Sequence, residues 1–115
     1  MFKLANKDTY KRVIKVEVPG DLGKIDRQQF VMEFKRLSVS DTRALVDDSQ
    51  EGKMDDEELI SRYAVSWEGV FDENGEEIPF SLSALSEMMD ITYVKKAIMS
   101  AFIEDVFGKE AARKN

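Results

Sequence analysis

Residues 13–35, VIKVEVPGDLGKIDRQQFVMEFK, contain two runs of alternating apolar and polar side chains separated by a turn. Successive side chains of a strand point to opposite faces, so the apolar side chains of each run share one face. They are Ile14, Val16 and Val18 in the first run and Phe30, Met32 and Phe34 in the second. Because a Pro-Gly-Asp sequence ends the first run, the stretch predicts an antiparallel β-hairpin whose connection is longer than a tight two-residue turn.

The residues that follow predict a short helix, which the hairpin needs because two strands alone are marginally stable. Ser40 is the predicted N-cap, and Asp41 places a negative charge near the positive end of the helix dipole. The acidic pair at residues 47–48, followed by Gly52, is predicted to end this helix.

A second helix is predicted from Asp55 to Gly69. Asp55 and Glu58 have the spacing of a capping box, with Asp in place of the usual Ser or Thr. The apolar side chains that follow recur at helical spacing and predict one buried face. They are Leu59, Ile60, Tyr63 and Trp67.

The segment from Val70 to Phe80 is predicted to be an exposed turn. Its Asn74-Gly75 pair is a strong hairpin signal. A tight turn there would set carboxylates opposite one another, and facing like charges destabilise strand pairing. We therefore expect very short strands at most in this segment.

Two more helices complete the predicted fold. Ser81 is the predicted N-cap of the first, and Phe80 and Leu85 have the spacing of a hydrophobic staple. Asp90 is the predicted N-cap of the last helix, and Gly108 is predicted to end it. The expected fold is therefore α+β and two-layered, with an N-terminal antiparallel β-hairpin packed against about four α-helices.

Composition predicts a single domain, residues 1–115, with loose ends at residues 1–12 and 109–115. Of the 115 residues, 43% are hydrophobic and 35% are charged, which suits a modest core beneath a heavily charged surface. The net charge of −6 disfavours binding to nucleic acid or to an anionic membrane, because both attract Lys and Arg. The lack of Cys and of a long apolar run agrees with a cytoplasmic location.

We expect no enzymatic activity, no cofactor and no metal site. The sequence has no His and no Cys, and its adjacent carboxylates are typical of solvated faces and helix N-termini. Residues 72–77, DENGEE, offer oxygen ligands for calcium, but Gly75 stands fourth in this segment, whereas calcium loops need glycine sixth. No glycine-rich phosphate-binding loop occurs either.

Aromatic side chains around the acidic turn and the last two helices are the candidate protein-contact residues, because aromatic residues are enriched in binding hot spots. They are Trp67, Phe71, Phe80, Tyr93, Phe102 and Phe107. For Trp67 a position in the core is the alternative, and there its indole N–H needs a hydrogen-bond acceptor. The sequence leaves both positions open.

Three segments together resemble the tail assembly chaperones of long-tailed bacteriophages and their prophages. They are VIKVEVPGDLGK followed by FVMEFKRLS (within 13–38), WEGVFDENGEEIPF (67–80) and LSEMMDITYVKKAI (85–98). The order and spacing of the segments carry the resemblance, which extends over residues 13–113. Met88 and Met89 stand where Leu is expected in such proteins, a change that preserves apolar packing.

The resemblance implies a non-enzymatic role in building the phage tail. Such proteins bind the tape measure protein and the tail tube subunit, and they keep these partners soluble until the tube polymerises. They also assemble into rings or spirals, so the resemblance implies a homo-oligomer in the bacterial cytoplasm that is absent from the mature virion. Two other hypotheses stay open: a small structural virion component, such as a tail or head-tail joining protein, and an acidic inhibitor or regulatory module.

Overall fold

Three strands and five α-helices make up the fold in the computed structural model, which describes residues 1–4 and 6–113. The strands are β1 (Thr9–Pro19), β2 (Ile25–Lys35) and β3 (Ala64–Glu68). The helices are α1 (Val39–Gln50), α2 (Asp56–Tyr63), α3 (Leu82–Met89), α4 (Thr92–Phe107) and α5 (Lys109–Arg113). A short 3₁₀ turn, Asp21–Gly23, joins β1 to β2.

The predicted hairpin is confirmed, and its strands are longer than the alternating pattern indicated. β1 and β2 pair antiparallel without interruption, from Thr9 opposite Lys35 to Pro19 opposite Ile25. The expectation of a loose end over residues 1–12 is therefore wrong for residues 9–12. Polar side chains of this segment bind α4, as described below, and these contacts fix a stretch that hydrophobic alternation alone does not mark.

The sheet buries one of its two faces. The side chains predicted to share the apolar face are buried, except that Val18 near the end of β1 is half-buried. On the opposite face, Val13 and Ile25 are 41% and 49% exposed. The expected α+β fold with an N-terminal hairpin is confirmed, and its core lies between the inner face of the sheet and the helices.

A third strand stands where the sequence predicted the end of a helix, so the prediction of one helix from Asp55 to Gly69 is wrong. α2 ends at Tyr63, and β3 pairs antiparallel with β2. Trp67 lies opposite Met32 and Ala64 opposite Phe34, with a register shift between these pairs. The irregularity lets two side chains three positions apart both face the core, a spacing that is also typical of a helix.

The predicted N-caps are confirmed for two helices and shifted for a third. Asp55 accepts a hydrogen bond from the Glu58 amide at 2.8 Å, and Ser81 caps α3 in the same way. In α1 the N-cap is Ser38 rather than Ser40, and Ser38 forms a capping box with Asp41. The two side-chain-to-backbone bonds of this box are 3.0 and 3.1 Å, so both Ser38 and Asp41 are used at the start of α1.

Three further helix ends differ from the prediction or refine it. α1 continues past the acidic pair at residues 47–48 to Gln50. Asp90 is not the N-cap of the last helix, because its amide completes the final turn of α3 by bonding to the Ser86 carbonyl. Gly108 ends α4 as predicted, with a φ of 98°, and residues 109–113 then form α5 instead of a loose end. Residues 114 and 115 lie outside the described part of the chain.

α4 supplies more buried side chains to the core than any other described helix. Its side chains that face the sheet are buried: Val94, Ile98, Ala101 and Phe102. The Phe102 ring lies 5.6 Å from the Phe34 ring of β2 and 5.9 Å from the Tyr63 ring of α2, measured between centroids. This aromatic cluster joins the sheet to two helices.

Candidate functional site

The acidic arm, defined as residues 71–77, is a compact turn that projects after β3. Phe71 and Glu77 form an isolated bridge at its base, and the Asp72 amide donates to the Glu76 carbonyl at 2.8 Å. The Asp72 carboxylate accepts from two further amides of the turn at 2.9 Å. The predicted exposed turn with very short strands is confirmed, and much of its backbone bonding is satisfied within the arm.

Trp67 fastens the acidic arm to the sheet. Its indole N–H donates to the Ile78 carbonyl at 2.8 Å, and the Ile78 amide donates to the Val70 carbonyl at 2.8 Å. The indole also packs edge-on against Phe30 and Phe80, with centroid distances of 6.4 and 5.1 Å. The sequence left two positions open for Trp67, and in the structure this residue lies in the core. The Ile78 carbonyl is the acceptor that its indole N–H needs.

The six aromatic residues predicted as protein contacts do not form one surface. Phe71 at the base of the acidic arm is 59% exposed, and Phe107 at the end of α4 is 43% exposed. Phe80 is half-buried against Trp67. Phe102 is completely buried, so in this fold it is a core residue and is not available to a partner.

Tyr93, the sixth of these residues, lines a groove between β1 and α4 that we name the edge groove. Its volume is about 1220 Å³, and its lining carries more cations than carboxylates. The cations are Lys11, Arg12, Lys15, Lys24 and Lys96, and the carboxylates are Glu17 and Glu104. This cluster was not predicted, although the alternation Lys-Arg-Val-Ile-Lys at residues 11–15 already places both lysines on one side of the strand.

Tyr10 and Arg12 fasten β1 to α4. The Tyr10 hydroxyl donates to Asp105 at 3.0 Å, and the Arg12 guanidinium forms ion pairs with Asp105 and, at 3.7 Å, with Glu104. Partial burial, reinforced by the Asp105 charge, raises the pKa of Tyr10 above its ordinary value, so its hydroxyl stays protonated and keeps donating. These contacts hold the first strand against the last long helix.

Glu33 joins all three strands on the uncovered face of the sheet. Its carboxylate accepts from the Thr9 hydroxyl of β1 at 2.6 Å and from the Ser66 hydroxyl of β3 at 3.0 Å. These two hydrogen bonds lower the pKa of Glu33, because they stabilise its charged form. The carboxylate therefore acts as a cross-strand link on the outer face of the sheet.

We expect the Glu33 link to weaken in acid. A depressed folded-state pKa contributes stability above the ordinary value of 4.5, and this contribution is lost as pH falls through the folded pKa. Thermal unfolding of the wild type and of Glu33→Gln, followed by circular dichroism from pH 7 to pH ~3, should show melting temperatures that converge in acid. Glu73→Gln in the exposed acidic arm is the control and should track the wild type. Parallel curves for Glu33→Gln and the wild type would contradict this role.

No metal centre or membrane helix is found in the part of the chain that the structure describes. Within residues 1–4 and 6–113, no three acidic, His or Cys side chains are grouped so that they could hold a metal ion. The same residues include no helix with both the length and the apolar character needed to cross a bilayer. Comparison of the chain with protein-family models, curated proteins and solved structures gives no match.

Proposed function

We propose that this protein is a non-enzymatic assembly chaperone for tail formation in a long-tailed bacteriophage or prophage. It would bind the tape measure protein and tail tube subunits in the bacterial cytoplasm and keep them soluble until the tube polymerises. The observation that carries the proposal is the order of the three resembling segments along the chain. They correspond to the β1–β2 hairpin, the Trp67-anchored acidic arm and the α3–α4 pair.

The surface chemistry supports this role. The chain carries a net charge of −6, yet several large apolar side chains stand exposed in it. Phe71 and Leu82, for example, are 59% and 61% exposed. A protein that keeps an aggregation-prone partner in solution needs apolar contact points together with a charged, soluble exterior. We further propose that it works as a ring or spiral of identical subunits and is absent from the finished virion.

Co-expression tests the proposal directly. The affinity-tagged chain should retain a tape measure fragment and the tail tube subunit, and it should raise the soluble fraction of each. Failure to bind either partner would overturn the proposal. Presence of the chain in purified particles would favour a structural virion component. Binding to a basic partner that weakens steeply with salt would favour an acidic inhibitor instead.

Phe71→Ala should weaken binding of the tape measure protein, the proposed client, about tenfold or more, because exposed aromatic side chains commonly act as interface anchors. Little change in stability is expected, since the ring is mostly outside the core. Titration of a labelled tape measure fragment, followed by fluorescence anisotropy, measures the effect. Val39→Ala, which trims an exposed apolar side chain on α1, is the control. Equal affinities for Phe71→Ala and the wild type would remove Phe71 from the client surface.

A further inference from the structure

The outer edge of β1 is open. The strand order is β1-β2-β3, so within residues 1–4 and 6–113 β1 pairs with β2 on one side and with no strand on the other. An edge strand of 11 residues presents a row of backbone N–H and C=O groups that another chain can use. The edge groove runs along this side of β1, with α4 as its second wall.

The hydrogen bonds at the two ends of the hairpin show which backbone groups face the groove. Arg36 donates to the Asp8 carbonyl at 2.8 Å, and Gly20 donates to the Lys24 carbonyl at 2.8 Å. Bonded pairs alternate along an antiparallel ladder, so the even-numbered residues of β1 bond to β2. The odd-numbered residues therefore turn their amides and carbonyls toward the groove. Those in the middle of the strand are Lys11, Val13, Lys15 and Glu17.

Most of these outward groups are available for pairing. The Val13 carbonyl accepts from the Arg12 side chain at 3.2 Å, which also confirms that it points away from β2. Within the described residues, no other backbone hydrogen bond outside the regular elements involves Lys11, Lys15 or Glu17. The edge therefore has unpaired donors and acceptors spaced as in a regular strand.

Charge and shape restrict what can occupy the edge groove. Its five cations face two carboxylates in a chain whose net charge is −6, so the groove is a basic site on an acidic protein. Arg12 is already paired with α4 and Lys11 with Glu68 of β3 at 3.4 Å, whereas Lys15, Lys24 and Lys96 form no ion pair among the described residues. The volume of about 1220 Å³ exceeds the range of about 300–1,000 Å³ that is typical of small-molecule sites.

We propose that the edge groove binds an extended acidic segment of a partner protein, which adds to β1 as a fourth strand. Side chains of such a strand alternate between the two faces of the sheet. Those on the outer face would lie beside Lys11 and Lys15, where carboxylates are favoured. Those on the inner face would lie against Tyr93, Ala97 and Ala101 of α4, where apolar side chains are favoured. The partner segment therefore alternates Glu or Asp with apolar residues.

A second copy of this chain suits the groove less well. Two β1 edges paired antiparallel about Val13 would place Lys11 of one copy opposite Lys15 of the other, and facing like charges destabilise such a pair. Pairing about Ile14 would place Lys11 opposite Glu17 but Lys15 opposite Val13, whereas an alternating acidic segment offers a carboxylate to both lysines. The acidic arm of a second copy has the right charge, but its backbone is already bonded within its own turn.

The proposed binding site is independent of the proposed role in tail assembly, because the proposal of this site rests on the strand edge and its charges alone.

Three labelled peptides test the pattern of the partner. The probe SVEVEVEVS alternates Glu and Val, SEEEVVVVS has the same composition without alternation, and SVKVKVKVS reverses the charge. Fluorescence anisotropy should show saturable binding of the first peptide only. Equal binding of SVEVEVEVS and SEEEVVVVS would show that the groove is only a nonspecific basic patch, and this result would overturn the proposal. Failure of SVEVEVEVS to bind would overturn it as well.

Charge reversal of the exposed edge lysines tests the site. Lys11→Glu with Lys15→Glu should reduce affinity for SVEVEVEVS at least tenfold, and Lys11→Gln with Lys15→Gln should have an intermediate effect. The matched control, Lys3→Glu with Lys35→Glu, makes the same charge change outside the groove and should bind like the wild type. Equal losses in the control and in the Lys11/Lys15 variant would overturn the proposal.

Amide hydrogen exchange of the wild-type chain separates strand addition from other binding modes. Without peptide, amides of the odd-numbered residues of β1 should exchange faster than those of the even-numbered residues. With SVEVEVEVS bound, Lys11, Val13, Lys15 and Glu17 should become protected. Unchanged exchange at these four amides would exclude a fourth strand. Self-association of the chain that disappears in the Lys11/Lys15 variant would replace the partner segment with a second copy.

Discussion

Replacing Phe102 with alanine should lower the free energy of unfolding by about 3–5 kcal/mol. The side chain is completely buried between Phe34 and Tyr63, so its removal leaves a cavity where three structural elements meet. Domains of this size are stable by only about 5–15 kcal/mol, so much of the native stability is at stake. Urea unfolding followed by circular dichroism measures the change.

Phe107→Ala is the matched control for Phe102→Ala. It removes the same ring from the same helix, but Phe107 is 43% exposed, so a loss below about 1 kcal/mol is expected. Client binding by Phe102→Ala should match the wild type under conditions in which the variant is folded. Equal destabilisation by the two substitutions would contradict the core position of Phe102.

The second large effect is expected for Trp67→Ala. Loss of the buried indole should cost about 3–5 kcal/mol, and the Ile78 carbonyl, directly after the acidic arm, should lose its hydrogen bond to the sheet. Amides of the arm, including those of Asp72 and Glu76, should then exchange with solvent faster than in the wild type. Chemical unfolding and amide exchange by NMR measure the two consequences separately.

Trp67→Phe separates packing from hydrogen bonding. It keeps an aromatic ring between Phe30 and Phe80 but leaves the Ile78 carbonyl without its indole donor. A loss of about 1–3 kcal/mol is expected for this variant. Phe71→Ala, on the exposed side of the same segment, should change stability much less. A Trp67→Phe variant as stable as the wild type would show that the hydrogen bond does not hold the arm.

Features set by local chemistry were predictable from the sequence. The alternation in residues 13–35 identified the hairpin and its buried face, because apolar and polar side chains that alternate over such a length indicate a β-strand with one buried face. Asp55 and Ser81 were identified as N-caps because their side chains bond to amides three residues away. The acidic turn was predictable for the same reason, since its bonding is local.

Features set by distant contacts were not predictable in this way. Trp67 follows helical spacing in the sequence, but pairing with Met32 of β2 and an irregularity in β3 place it on a strand. Residues 9–12 are polar, yet Asp105, nearly a whole chain length away, holds Tyr10 and Arg12 in place. The edge groove depends on how α4 lies along β1, which no local pattern encodes.

The attachment of Tyr10 to Asp105 joins residues 95 positions apart, and this separation sets an order of events during synthesis. A ribosome releases the β1–β2 hairpin long before α4 has been translated. Local contacts of the hairpin form readily, whereas docking of α4 must wait for the distant segment. The apolar face of the hairpin therefore stays partly uncovered on the nascent chain until α4 has emerged, and the Asp105 contacts can form only after that.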